Sequence, residues 1–111
     1  MIRVNEIVLE RIEIATGEVE IDNRGVLSDK ALEATGFTKR FIVKKGVSLF
    51  DLALGAASKI PKDELVEIGG VIAATFSNER RFPQLSVAIA SALGLNANIP
   101  AFDIQMACSA Y

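Results

Sequence analysis

Segments with strand-like apolar patterns alternate along this chain with segments that have the spacing of a helix. The strand patterns occur in residues 4–21, 41–43, 66–76 and 99–106. The helix patterns fall between them, in residues 29–34, 49–59 and 83–93. This order within 111 residues predicts an α/β fold, in which crossover helices connect the strands of a sheet.

The first two helices have sequence signals at their ends. Ser28 is of a residue type that caps helix N-termini, and Gly36 is of the type that ends a helix in the left-handed conformation. Ser48 and Asp51 have the spacing of a capping box, in which each side chain accepts a hydrogen bond from the other residue's backbone N–H. We therefore expect helices to begin at residues 29 and 49.

The strand patterns predict different environments at the two ends of the chain. Residues 4–21 have one polar face, and Thr16-Gly17-Glu18 within them is typical of a hairpin turn. Residues 66–76 lack strict alternation, which is typical of a strand buried on both faces. The last strand pattern, residues 99–106, is also expected to be buried on both faces. We expect a hairpin first and buried strands in the second half of the chain.

The charge, apolar runs and cysteine content weigh against several function classes. The chain has 12 basic and 14 acidic residues, so it lacks the basic excess of a nucleic-acid-binding protein. Its apolar stretches are shorter than the roughly 18 residues of a membrane span. One cysteine and no histidine exclude an internal disulfide and a zinc site of the usual Cys/His kind. We expect a cytoplasmic protein without a metal site.

Cys108 is the candidate nucleophile. It follows the last strand pattern, where α/β folds place their reactive groups, and the small residues around it permit a tight strand-to-helix turn. A thiol at a helix N-terminus loses its proton more easily, and the thiolate is the attacking species. A buried structural cysteine is the alternative, and composition alone favours it.

Other side chains also have both a functional and a structural interpretation. Phe82 lies between two arginines and a proline, which favours a projecting position at a subunit interface over the usual core position. Asp103 and Gln105 alternate with apolar residues on the last strand and are candidates for buried hydrogen-bonding partners. Six basic residues form either a phosphate-binding rim or, more commonly for such residues, a solvated face. They are Lys39, Arg40, Lys44, Lys45, Arg80 and Arg81.

Three stretches of the chain have the form of family motifs. Residues 35–42 read T-G-F-T-K-R-F-I, and residues 73–77 read A-A-T-F-S and precede Arg81-Phe82-Pro83. Residues 100–111 read P-A-F-D-I-Q-M-A-C-S-A-Y. In order and spacing, these stretches resemble the beta-ketoacyl-acyl-carrier-protein synthase III family, which has the thiolase fold.

The resemblance implies a fold and a reaction. Residues 1–111 would form the N-terminal half-domain of a thiolase-like fold with a mixed sheet, up to the nucleophile. Cys108 would accept an acyl group as a thioester from acyl-coenzyme A or an acyl carrier protein. Malonyl-acyl carrier protein would then lose carbon dioxide and attack that thioester, as in fatty acid or related biosynthesis. No cofactor is implied beyond these substrates.

The resemblance also implies partners. In the family, a histidine and an asparagine from the C-terminal half assist decarboxylation, and the phenylalanine that corresponds to Phe82 crosses a homodimer interface to close the partner's acyl pocket. This chain departs from the family at Ala110, where the motif has glycine, and in residues 30–34, which lack the tryptophan and arginine that many members use on coenzyme A. A non-catalytic half or partner subunit is the alternative function, and an unrelated small α/β binding protein is a third.

Overall fold

Strands and helices alternate through residues 8–77 and 82–105, which the computed structural model describes. In chain order they are β1 (Val19–Asp22), α1 (Asp29–Thr35), β2 (Lys39–Ile42), α2 (Leu49–Ala57), α3 (Lys62–Leu65), β3 (Val71–Ala74), α4 (Leu85–Ala92) and β4 (Ala101–Ile104). This order confirms the predicted α/β class. β3 occupies only part of residues 66–76, where a longer strand was expected, and the single turn α3 ends just before this region.

The described strands form two small sheets instead of one larger sheet. β1 and β2 are antiparallel, with Val19 opposite Ile42. β3 and β4 are parallel, with Val71 opposite Ala101. α4 lies between β3 and β4 in sequence and packs against both strands and against α2.

The helix ends follow the sequence signals. The Ser28 side chain caps α1, and Gly36 ends it with a φ of 69°. At the start of α2, the Asp51 N–H donates to Ser48 Oγ at 3.1 Å, and the Ser48 N–H donates to Asp51 Oδ2 at 2.8 Å. The predicted capping box is therefore confirmed, and α2 ends at Ala57, slightly before the expected limit.

The hairpin predicted over residues 4–21 is wrong in its described part. Residues 8–17 form no strand, residues 4–7 lie outside the described range, and β1 pairs with β2 instead. Gly17 is not the turn of a strand hairpin: it lies against the backbone of Ile42 and Val43. Alternation of side chains shows which residues could face a core, but the hydrogen-bonding partner of a strand is set by the tertiary structure.

One face of the later strands is uncovered among the described residues, so their burial on both faces stays a prediction for the complete fold. In β3 and β4, Ile72 lies opposite Phe102, and these side chains are 67% and 58% exposed. Among the described elements, α4 is the one that packs on this sheet. The face that carries Ile72 and Phe102 is therefore left open.

Candidate functional site

The carboxyl ends of β3 and β4 form the edge at which we expect the site. The two strands are in register up to Ala74 opposite Ile104, and the Thr75 N–H continues the pairing with a 3.0 Å hydrogen bond to the Ile104 carbonyl. Ligands and reactive groups of open α/β sheets lie beyond such ends. Cys108 follows shortly after Ile104 but lies outside the described residues, so its role as the nucleophile stays a prediction.

Asp103 connects β4 to the start of α4. Its Oδ2 accepts a hydrogen bond from the Leu85 N–H, and its Oδ1 accepts one from the Ser86 N–H, both at 2.8 Å. Gln84 is the N-cap residue of α4, but its side chain makes no capping hydrogen bond. Asp103 thus satisfies donors that a helix start leaves free, and its charge is favourable at the positive end of the helix dipole.

The interpretation of Asp103 as a hydrogen-bonding partner is confirmed, with the difference that its side chain is half-buried instead of fully buried. Gln105 is exposed. The two residues behave differently because α4 covers the face of β4 on which Asp103 lies, whereas Gln105 follows the end of the strand.

Phe82 lies outside the chain's own core. Its side chain is 86% exposed, and Pro83 and Gln84 connect it to α4. Among the described residues, Phe82 therefore does not have the core role that phenylalanine usually has. The assignment of Phe82 to a subunit interface and an acyl pocket stays a prediction.

The basic rim is partly occupied by ion pairs. Lys39 Nζ lies 2.7 Å from Glu20 Oε1, and Lys44 pairs with Glu18. These contacts are exposed and lie between neighbouring parts of the first sheet, which favours the solvated-face interpretation for both lysines. Arg80 and Arg81 lie outside the described residues.

Asn23, directly after β1, is a structural residue that the sequence patterns did not indicate. It is 3% exposed. Its Nδ2 donates to the Phe37 carbonyl at 2.9 Å, and its backbone N–H donates to the Thr38 carbonyl at 2.8 Å. An asparagine in a loop commonly forms hydrogen bonds with nearby backbone groups. That residue type was the one signal in the sequence for this structural role. Asn23 therefore fixes the loop that precedes β2.

The described residues contain neither a metal-binding cluster nor a membrane-spanning helix. Within residues 8–77 and 82–105, no three histidine, cysteine, aspartate or glutamate side chains are arranged to hold a metal ion. In the same ranges, no helix has the length and apolar character needed to cross a membrane.

Curated relatives of this chain are synthases. Beta-ketoacyl-acyl-carrier-protein synthase III 3 of Streptomyces coelicolor is 33% identical over 96 residues, which are 83% of this chain and 28% of the relative. Beta-ketoacyl-acyl-carrier-protein synthase III of Rhodospirillum rubrum is 32% identical over 82 residues, 71% of this chain and 25% of the relative. The chain thus spans about a quarter of the length of these relatives. No protein-family model matches it.

Solved structures of the same type share the fold. A 3-oxoacyl-(acyl-carrier-protein) synthase III superposes with a TM-score of 0.71 at 22% identity, over 85% of this chain and 31% of that structure. The beta-ketoacyl-acyl-carrier-protein synthase III of Thermus thermophilus gives 0.67 at 23% identity, over 84% and 31%. OleA of Xanthomonas campestris gives 0.68 at 18% identity, over 84% and 33%. By sequence, the chain is therefore a homologue of curated beta-ketoacyl-acyl-carrier-protein synthase III proteins. By structure, it has part of the thiolase-like fold.

Proposed function

We propose that this chain is part of an acyltransferase of the beta-ketoacyl-acyl-carrier-protein synthase III type, in which Cys108 accepts the acyl group. The observation that carries the proposal is the sequence match to a synthase III over 83% of the chain. The position of β4 adds support, because this strand runs parallel to β3 and leads towards Cys108. A reactive group beyond the carboxyl end of a parallel strand is the usual arrangement in α/β enzymes.

The proposed reaction has two steps. In the first, the Cys108 thiolate forms a bond to the thioester carbonyl carbon of an acyl donor, and the donor's sulfur leaves with the electron pair of the broken carbon–sulfur bond. In the second, malonyl-acyl carrier protein loses carbon dioxide. The electron pair left on the malonyl carbon forms a new bond to the carbonyl carbon of the Cys108 thioester. The carbon–sulfur bond of that thioester breaks, and the Cys108 sulfur leaves as a thiolate.

Residues outside this chain complete the proposed enzyme. As the resemblance to the synthase III family implies, a histidine and an asparagine from a complementary C-terminal half bind the thioester carbonyl. The given sequence has no histidine of its own. The proposed assembly is a cytoplasmic homodimer that uses acyl-coenzyme A or an acyl carrier protein as donor, in fatty acid or related biosynthesis. The chain's coverage of about a quarter of each curated relative fits this division.

Transfer of an acyl group to Cys108 tests the proposal directly. The full-length protein is incubated with an acyl-coenzyme A or an acyl carrier protein thioester, and peptide mass spectrometry locates the added acyl mass. We expect the mass on the peptide that contains Cys108 and its loss in Cys108→Ala. Ser109→Ala, which changes the neighbouring hydroxyl, is the control and is expected to keep the label.

Two outcomes would contradict the proposal. Acylation that persists in Cys108→Ala would exclude Cys108 as the acceptor. A folded protein that takes up no acyl group from either donor would favour the alternative, a non-catalytic partner subunit, for which the replacement of the motif's glycine by Ala110 is the supporting observation.

A further inference from the structure

We infer that Asp103 is a positioning residue for Cys108, because it fixes the strand that leads to the cysteine against the start of α4. The inference concerns a residue that need not touch the substrate. It rests on the proposed function of Cys108 as the acyl acceptor.

The contact between Asp103 and α4 constrains both elements. Each carboxylate oxygen accepts one of two consecutive backbone N–H groups, so the carboxylate is held at two points and cannot rotate without breaking a bond. The two donor residues, Leu85 and Ser86, are 7% and 0% exposed. A contact at such buried residues is poorly replaced by water.

The contact does more than a cap needs to do. A helix N-terminus is normally capped by the N-cap residue itself, and Gln84, with φ −58° and ψ 150°, has an extended backbone suitable for a capping serine or aspartate. Here the acceptor instead comes from β4, 18 residues from Leu85. A cap from a different element stabilises the helix start and also holds β4 in place.

The position of Asp103 in β4 connects its contact with α4 to the proposed chemistry at Cys108. β4 is hydrogen-bonded along one edge to β3, and the carboxylate adds a contact on its α4 face. Cys108 is five residues further along the chain, within about 17 Å at full extension. A displacement of about 1 Å at a reacting group can reduce a rate on the order of a hundredfold.

Asp103→Asn in the full-length protein tests the inference. The asparagine oxygen can still accept one N–H, but its amide group presents a donor to the other, so the two-point contact is lost. We expect the rate constant for acyl transfer to Cys108 to fall roughly tenfold, while the KM for the acyl donor stays within about twofold. Asp51→Asn, which changes the capping carboxylate of α2, is the matched control and is expected to leave this rate constant unchanged.

A second substitution separates positioning from helix capping. Gln84→Ser in the Asp103→Asn background gives α4 a capping hydroxyl at its own N-cap. Asp103→Asn should lower the melting temperature, because the start of α4 loses part of its cap. We expect the double variant to recover part of that thermal stability without recovering the acyl-transfer rate. Full recovery of the rate would show that Asp103 acts only as a cap and would overturn the inference, as would an Asp103→Asn rate equal to that of the unchanged protein.

A third measurement distinguishes failure of this inference from failure of the proposed function. Alkylation of Cys108 by iodoacetamide, followed by mass spectrometry across a range of pH, does not require any acyl transfer. If no thioester forms at Cys108, the proposed function is wrong. A midpoint of the alkylation profile that moves in Asp103→Asn and not in Asp51→Asn would then still support positioning, and unchanged profiles in both variants would refute it.

Discussion

Gly17 lies in direct contact with the backbone of Ile42, at the end of β2. A Cβ atom at position 17 would overlap the carbonyl carbon and oxygen of Ile42. Only a residue without a side chain fits so close an approach. The residues before β1 therefore pass β2 at a point where the packing depends on glycine.

Gly17→Ala is expected to destabilise the protein by about 1–3 kcal/mol, because the added methyl group forces the backbones of residues 17 and 42 apart. Chemical denaturation of the full-length protein measures the free energy of unfolding. Gly69→Ala is the matched control, since a Cβ at Gly69 has no neighbour within 4 Å. We expect the control to change the free energy by less than about 0.5 kcal/mol. Equal effects of the two substitutions would contradict the assignment.

The ion pair of Arg11 and Glu64 predicts a pH-dependent contribution to stability. The Arg11 Nε atom lies 2.9 Å from Glu64 Oε2, and its Nη2 atom also donates to the carboxylate. These hydrogen bonds lower the pKa of Glu64 below its usual value. Because the folded-state pKa is the lower one, the contribution is present above the unfolded-state pKa and is lost as the pH falls through the folded-state pKa.

Glu64→Gln should therefore destabilise the protein at pH 7, and the difference from the unchanged protein should shrink towards pH 3. Urea denaturation at several pH values measures this difference, and added salt should reduce it at pH 7 because both side chains are partly exposed. Glu67→Gln is the control, because it also removes one negative charge but leaves the hydrogen bonds between Arg11 and Glu64 in place. A pH-independent difference for Glu64→Gln would contradict the prediction.

The extent of the fold that could be predicted depends on how local its determinants are. The ends of α1 and α2 were predictable because Ser28, Gly36 and Ser48 act on backbone groups within a few residues. The strand pattern of residues 8–17 was misleading, because strand pairing requires a partner from elsewhere in the chain. The same alternation that predicts a strand is compatible with an unpaired segment.

The candidate site was predictable in part for the same reason. The sequence placed Asp103 on the last strand as a hydrogen-bonding residue, but its partners are the N–H groups of Leu85 and Ser86. Backbone donors carry no sequence signature, so this contact could not be read from residue types. Asn23 was missed because its acceptors, too, are backbone carbonyl groups.

Phe82→Ala is expected to weaken dimerisation of the full-length protein. A phenylalanine that is 86% exposed in the chain has its full apolar surface available for a partner, and truncation of such an anchor typically costs about 2 kcal/mol of binding. That is roughly a thirtyfold rise in the dimer Kd, measured by sedimentation. Phe37→Ala, at a residue 69% exposed beside the first sheet, is the control. An unchanged Kd and an unchanged acyl-chain preference in Phe82→Ala would refute the interface assignment.

Residues 1–111 expressed alone are expected to be insoluble, molten or tightly associated, and catalytically inactive. The basis is the apolar surface that the described residues leave open, including Ile12, Ile14, Ile72 and Phe102, each at least 58% exposed. Each large apolar side chain left in water forfeits roughly 1.5–3 kcal/mol of burial. Four such residues forfeit an amount comparable to the net stability of a whole domain, about 5–15 kcal/mol.

Expression of the segment with and without the complementary half of the proposed enzyme tests this expectation. Exposed apolar faces and unpaired strand edges promote association, so the segment alone should elute in aggregates, and co-expression should give a soluble complex. Ile72→Thr with Phe102→Thr, on the open face of the second sheet, should reduce aggregation of the isolated segment but weaken its complex with the other half. A soluble monomer of the unchanged segment, with cooperative unfolding and dispersed amide resonances, would show that these faces need no cover.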